Sequence, residues 1–169
     1  MSANWNPWHG CHKYSEGCKN CYVFRGDAKY DRDTENIIKT QSFNMPVAKN
    51  RKGEYKMKIG EMVWLCFSSD FFLEDADIWR QDAWKMIKER SDCEFLFITK
   101  RILRFYDCIP PDWGDGYENV IFSDPAHKTQ MYHNRAAIRR NGFVAVLVGK
   151  NRECSGWRRV WHKRSSMPV

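Results

Sequence analysis

An α/β fold built from parallel βα units is what this chain predicts, and three features carry that reading. Apolar runs of strand length at residues 62–67, 95–98 and 120–122 lack the alternation of a one-sided sheet, as strands covered on both faces do. Each run hands over to polar residues: Ser68-Ser69-Asp70, then Thr99-Lys100-Arg101, then Ser123-Asp124. A helical pattern lies between the first two runs, so the order strand, helix, strand, helix, strand emerges, with right-handed crossovers expected. Ligands gather at the carboxyl ends of such strands, which places the three polar handovers at one mouth.

The individual elements follow from local chemistry. Over residues 75–90, Ala76, Trp79, Ala83, Met86 and Ile87 recur at helical spacing, with Arg80, Gln81, Lys85, Lys88 and Glu89 opposite and Asp75 as the expected N-cap. A short helical turn carrying Ile102, Phe105 and Tyr106 must stop before Pro110-Pro111, because the residue ahead of a proline is pushed out of the helical region. A loop rich in Gly and Asp, residues 112–116, leads into the third strand. A weaker helical stretch over 131–140 and a fourth apolar run over 143–148 complete the pattern. Nearer the start, residues 22–30 read as a helix, and Asn50-Arg-Lys-Gly53 as a turn between short extended segments. At 169 residues the chain suits one domain with a real core, yet is short for a closed eight-stranded α/β barrel, which needs ~200 residues or more.

The net charge of +7 is unevenly distributed. Residues 1–125 carry 18 Lys+Arg against 20 Asp+Glu, whereas residues 126–169 carry ten against one, Glu153. The expected organisation is therefore an α/β domain over 1–125 and a divergent basic segment over 126–169, which either completes the sheet or is in part disordered. Trp157 and Trp161 stand between the basic pairs of that segment, a combination that can track a phosphate backbone and stack on bases. A solvated terminus or an altered reading frame has the same composition.

The strongest chemical signal lies in residues 11–21, where Cys11, Cys18 and Cys21 share one short loop. Thiolates are soft ligands, and three of them can meet at one metal while leaving a coordination position open. The seven cysteines are an odd number, and no apolar run resembles a signal peptide or a membrane span, so a cytoplasmic chain with reduced thiols is expected. Cys66, Cys93, Cys108 and Cys154 are scattered, and Cys66 reads as a small buried hydrophobe. The loop itself admits three occupants: a 4Fe–4S cluster with one iron free, a zinc ion completed by His9 or His12, or a redox pair in Cys18 and Cys21. A structural zinc site ordinarily draws a second ligand pair from later in the chain. None appears, since His127 and His133 are six apart, and this favours the open cluster.

The residues around the loop carry a resemblance. Trp5-Asn-Pro-Trp-His-Gly-Cys11 followed by Ser15-Glu-Gly-Cys18-Lys-Asn-Cys-Tyr22 resembles the opening of a family of uncharacterised bacteriophage and bacterial proteins. That family has a three-cysteine motif and is regarded as similar to radical S-adenosylmethionine (SAM) enzymes. The likeness continues through Cys66-Phe-Ser-Ser-Asp-Phe-Phe72, Trp79, Trp84-Lys-Met-Ile87, Phe97-Ile-Thr-Lys-Arg101 and Ile109-Pro-Pro-Asp-Trp113, and ends near Phe122. It departs from the usual radical-SAM spacing in having six residues between the first two cysteines. The family's members run on to complete a larger α/β barrel, so the resemblance implies a partial or truncated TIM-barrel-like domain.

It also implies roles. Cys11, Cys18 and Cys21 would ligate the cluster, whose free iron chelates SAM for cleavage to a 5′-deoxyadenosyl radical. Tyr22 would pack near the adenine, Ser68, Ser69 and Asp70 would bond the ribose or amino group, and Lys100 would meet the carboxylate. The expected partners are a reductant, an unidentified substrate with nucleic acid among the classes considered, and a three-Cys-motif partner protein, in the cytoplasm of a bacterial host. Two other expectations stand beside this one: a zinc-binding nucleic-acid-binding protein with a basic carboxyl-terminal arm, and an inactive truncated family member.

Overall fold

The computed structural model describes residues 2–123 and 131–133. Strand β1 (Ser2–Trp5) is followed by the short β2 (Trp8–His9), helix α1 (Tyr22–Ala28) and β3 (Ile38–Lys39), which pairs antiparallel with β2. Then come β4 (Met62–Leu65), helix α2 (Asp77–Glu89), β5 (Glu94–Ile98), the short α3 (Phe105–Cys108), β6 (Val120–Ser123) and β7 (Met131–His133). The main sheet has the order β1-β4-β5-β6-β7. Its first four strands are mutually parallel, and β7 joins the far edge antiparallel. The parallel sheet expected from the apolar runs is therefore present, within a mixed α/β fold that has few helices. Among the described residues no helix is long and apolar enough to cross a membrane.

Several boundaries differ from the sequence reading for physical reasons. The run at 62–67 leaves the ladder after Leu65, because Cys66 adopts φ 57°, a left-handed turn that ends the strand. Residues 74–76 form a 3-10 turn, so α2 starts at Asp77 without a side-chain cap, and Asp75 pairs with His12 instead. The helix expected over 131–140 gives way at its start to strand β7; the rest of it, and the run at 143–148, lie outside the described residues, as does Cys154. Strand β1 carries no strand signal in its sequence, because Ser2, Ala3 and Asn4 lack the apolar density of a buried strand. It pairs all the same in register with β4, Ser2 opposite Met62 and Trp5 opposite Leu65.

Helix α2 packs more of its circumference than its apolar stripe announces. Arg80, assigned to the solvent side, is buried: its Nε–H donates to the Phe71 carbonyl at 2.8 Å, and its other nitrogens reach the Leu73 carbonyl and Asp77. A guanidinium can be buried because its planar fork of donors meets carbonyls that would otherwise be orphaned. Arg90, fully buried at the end of α2, does the same for the carbonyls of Pro46 and Met57 and pairs with Asp92.

The core is aromatic. Trp84 stacks on Phe97 with ring centroids 5.3 Å apart, meets Phe71 and Trp113 edge-on, and donates its indole N–H to the Cys108 carbonyl at 2.7 Å. It thereby joins α2 to β5 and to the turn after α3. Replacing Trp84 by Ala removes that packing and leaves a buried carbonyl without its donor. The expected loss is about 3–5 kcal/mol of unfolding free energy, measured by urea denaturation; a loss below about 1 kcal/mol would contradict this account of the core.

Candidate metal and cofactor site

The cysteine loop sits on the carboxyl ends of the parallel strands, and backbone geometry puts it there. Gly10 adopts φ +100°, and a Cβ there would lie 2.8 Å from the Thr34 carbonyl oxygen and 2.9 Å from that of Asn36, so only glycine fits. Its N–H donates to the Ser68 carbonyl at 3.1 Å, and the next N–H, of Cys11, donates to the Thr34 carbonyl at 2.8 Å. Cys11 thus begins the loop wedged between the turn that follows β4 and the segment that precedes β3.

The three thiols stand in different surroundings, and all are free. Cys18 is buried at the end of a 3-10 turn (Glu16–Cys18), with the Tyr14 N–H 3.5 Å, the Ser15 hydroxyl 3.7 Å and the Lys100 ammonium 3.7 Å from its sulfur. Burial by itself raises the Cys18 thiol, but these donors and the Lys100 charge outweigh it and hold the group below its ordinary value. Cys11 is half-buried, and burial, aided by the Asp70 carboxylate, pushes its thiol up to about 11 while Arg101 pulls the other way. Cys21 is half-buried at the N-cap of α1, its N–H donating to the Cys18 carbonyl at 3.2 Å.

Among the described residues, no three His, Cys, Asp or Glu side chains already stand in a metal-ligating arrangement. The donor chemistry does fit an anionic thiolate centre. Reduced sulfurs lie on one loop beside an ammonium and a guanidinium, and that guanidinium has a spare proton: Arg101 Nε–H is buried without a partner.

The remaining residues singled out from the sequence are all at this edge, in different roles. Lys100 alone reaches a cysteine, its ammonium also donating to the Gly17 carbonyl at 3.4 Å. Ser68 donates through its hydroxyl to the Trp8 carbonyl at 3.3 Å, and Ser69 through its hydroxyl to the Gly10 carbonyl. Asp70 is buried with both oxygens engaged: one accepts from Thr99 Oγ1 at 2.8 Å and the Phe72 N–H at 2.9 Å, the other from the Lys100 N–H at 2.9 Å. Tyr22 is more than half exposed, its hydroxyl donating to the Phe67 carbonyl. Neither histidine considered for zinc points at the thiols through Nε2, which in His9 is bonded to Asp27 and in His12 to Asp75.

Arg101 is the residue that sequence reasoning missed. It is buried, its guanidinium lies 4.7 Å from the Tyr14 ring centroid, and it donates to the His12 carbonyl and to Glu74, both at 3.0 Å. Its only sequence signal was its place directly after Lys100 at a strand end. Cys66, set aside as a core residue, is buried as expected, and burial pushes its thiol well above the ordinary value.

The model of one protein family, described as "Protein of unknown function (DUF5131)", matches residues 1–147. The match runs past Phe122, where the resemblance read from the sequence ended, and into the basic segment. No curated protein and no solved structure matches the chain.

If Arg101 anchors the loop, Arg101→Met loosens residues 12–14 without unfolding the sheet. A hydrogen bond to a charged group contributes about 1.5–3 kcal/mol, so hydrogen exchange in residues 10–21 of the metal-free protein should rise at least about tenfold. Protection of β4 and β5 should stay unchanged. Equal exchange in wild type and variant would remove Arg101 from this role.

Proposed function

The chain belongs to the DUF5131 family, and on that premise we propose that it is a radical-SAM-like iron–sulfur protein of the phage type that its motifs resemble. In this reading Cys11, Cys18 and Cys21 hold a 4Fe–4S cluster and the neighbouring strand-end residues receive SAM. The observation that carries it is the seating of a three-thiol loop on the carboxyl edge of a parallel sheet, with Lys100 and Arg101 beside the sulfurs. Parallel strands in strictly sequential order also support a partial barrel. A doubly wound sheet reverses its order at a switch point, whereas a barrel adds each strand beside the last.

When bound, the cluster and SAM would supply one-electron chemistry that no side chain possesses. The protein's own residues bind and orient. The Tyr14 N–H, Ser15 and the Lys100 ammonium stabilise Cys18 as a thiolate, the form in which it ligates. Lys100 has three donor protons and spends two contacts on Gly17 and Cys18, which leaves one for a carboxylate. Ser68, Ser69 and Asp70 act in this reading by holding the mouth in shape, and Tyr22 offers an exposed ring beside the last cysteine. A one-electron reductant is the partner that the chemistry requires.

Anaerobic reconstitution with ferrous iron and sulfide tests the proposal. The expected product is brown, with about four iron and four sulfide per chain, and Cys18→Ala loses most of both. A protein that stays colourless and takes up one zinc ion instead would refute the cluster and favour the zinc-binding reading.

A further inference from the structure

Both outer nitrogens of the Arg101 guanidinium are engaged. One donates to the Glu74 carboxylate and the other to the His12 carbonyl, each at 3.0 Å. The Tyr14 ring lies against the same group, its centroid 4.7 Å away. A planar fork held at two tips and on one face keeps a fixed orientation, which also fixes the direction of the Nε–H. Arg101 is 5% exposed, and this Nε–H is the one buried side-chain donor without a partner among the described residues. Leaving a buried donor unmet is costly, so a lone orphan among satisfied neighbours marks where an acceptor belongs.

Cys11 is the neighbour that can become that acceptor. Its thiol donates to the His12 carbonyl at 3.4 Å, the same oxygen that takes the Arg101 Nη2–H, so sulfur and guanidinium converge on one atom. Burial and the Asp70 carboxylate hold the Cys11 thiol up, and Arg101 opposes them through its charge and a side-chain hydrogen bond. Ligation changes the demand. A cysteine binds metal as the thiolate, so it no longer donates to His12 and becomes an acceptor itself. Beside it stands a donor that nothing else uses. Cys18, by contrast, already has the Tyr14 N–H, Ser15 and Lys100 about its sulfur.

We propose that Arg101 is a positioning residue of the thiol centre: its Nε–H donates to the Cys11 sulfur once that sulfur is a metal ligand, and thereby raises the reduction potential of the centre. The inference rests on the reading of Cys11, Cys18 and Cys21 as ligands of an iron–sulfur cluster. Taking up one electron adds a negative charge that the ligand sulfurs share, and a hydrogen bond to sulfur stabilises it. The outer nitrogens of Arg101 anchor the loop; Nε serves the sulfur. These are separate duties of one side chain, and they come apart in Arg101→Lys. A lysine keeps a cation that can reach Glu74 or the His12 carbonyl, but it has a methylene where arginine has the Nε–H.

Full-length wild type, Arg101→Met and Arg101→Lys are reconstituted anaerobically with ferrous iron and sulfide, and iron is counted in each. The midpoint potential is then read by dithionite titration under electron paramagnetic resonance (EPR). Both variants are expected to shift the reduction equilibrium toward the oxidised form by at least about threefold, ~28 mV for a one-electron couple. Metal-free Arg101→Lys is expected to keep hydrogen-exchange protection of residues 10–21 close to wild type. A wild-type potential in Arg101→Met overturns the assignment. So does a potential that falls in Arg101→Met and is restored in Arg101→Lys, since charge and loop anchoring then explain it. Wild type grown with nitrogen-labelled arginine gives a readout that needs no variant to hold the cluster. Pulsed EPR of its reduced form is expected to show coupling to an arginine nitrogen, and the absence of that coupling overturns the assignment. Wild type that takes up zinc and no iron overturns the cluster reading and this inference together, whereas a loaded cluster with unshifted potentials overturns the inference alone.

Discussion

Asp70 joins the loop after β4 to the loop after β5: one carboxylate oxygen takes the Thr99 hydroxyl and the Phe72 N–H, the other the Lys100 N–H. Its own carbonyl accepts the Trp8 indole N–H at 3.1 Å, which ties in β2 as well. A buried carboxylate is tolerated only when its lone pairs are met by donors, and here they come from both loops, Phe72 after β4 and Thr99 with Lys100 after β5. The position of Lys100, and with it the charge beside Cys18, therefore depends on the Asp70 carboxylate that holds the Lys100 backbone.

From that anchor, three consecutive residues after β5 divide the work. Thr99 points inward to Asp70, Lys100 reaches Gly17 and Cys18, and Arg101 reaches His12 and the face of Tyr14. The cysteine loop is gripped on both its arms by one tripeptide. Residues 99–101 lie beyond the end of β5, where the two-sided alternation of a strand no longer holds, so three successive side chains can address three directions. The same arrangement puts two cations against sulfur ligands that carry negative charge when they bind metal.

Gly10 fixes where the cysteine loop begins: its N–H bonds the Ser68 carbonyl and the next N–H, of Cys11, bonds the Thr34 carbonyl. Any side chain there would collide with the carbonyls of Thr34 and Asn36. Helix α1 follows directly, with Cys21 as its N-cap and Tyr22 as its first residue, so the last cysteine of the loop is held by the start of a helix.

Much of the fold was legible in the residues themselves. Continuous apolar runs specify strands covered on both faces, and the strands at residues 62, 95 and 120 were found within a residue or two because burial on two sides permits no polar alternation. The three cysteines and the strand-end residues Ser68, Ser69, Asp70 and Lys100 announced themselves by type and spacing. What only the tertiary structure decided is what those side chains touch. Asp70 and the two serines are spent on holding loops together, and Arg80 and Arg101 are buried although their sequence neighbours suggested solvent. The bonds of Asp70 to Thr99, of the serines to Trp8 and Gly10 and of Arg101 to His12 join residues 29 to 89 positions apart, and local periodicity carries no information across such distances. Charge and hydropathy told which groups could act; the packing of one strand end against another determined which of them face the sulfurs and which are consumed in holding the loops together.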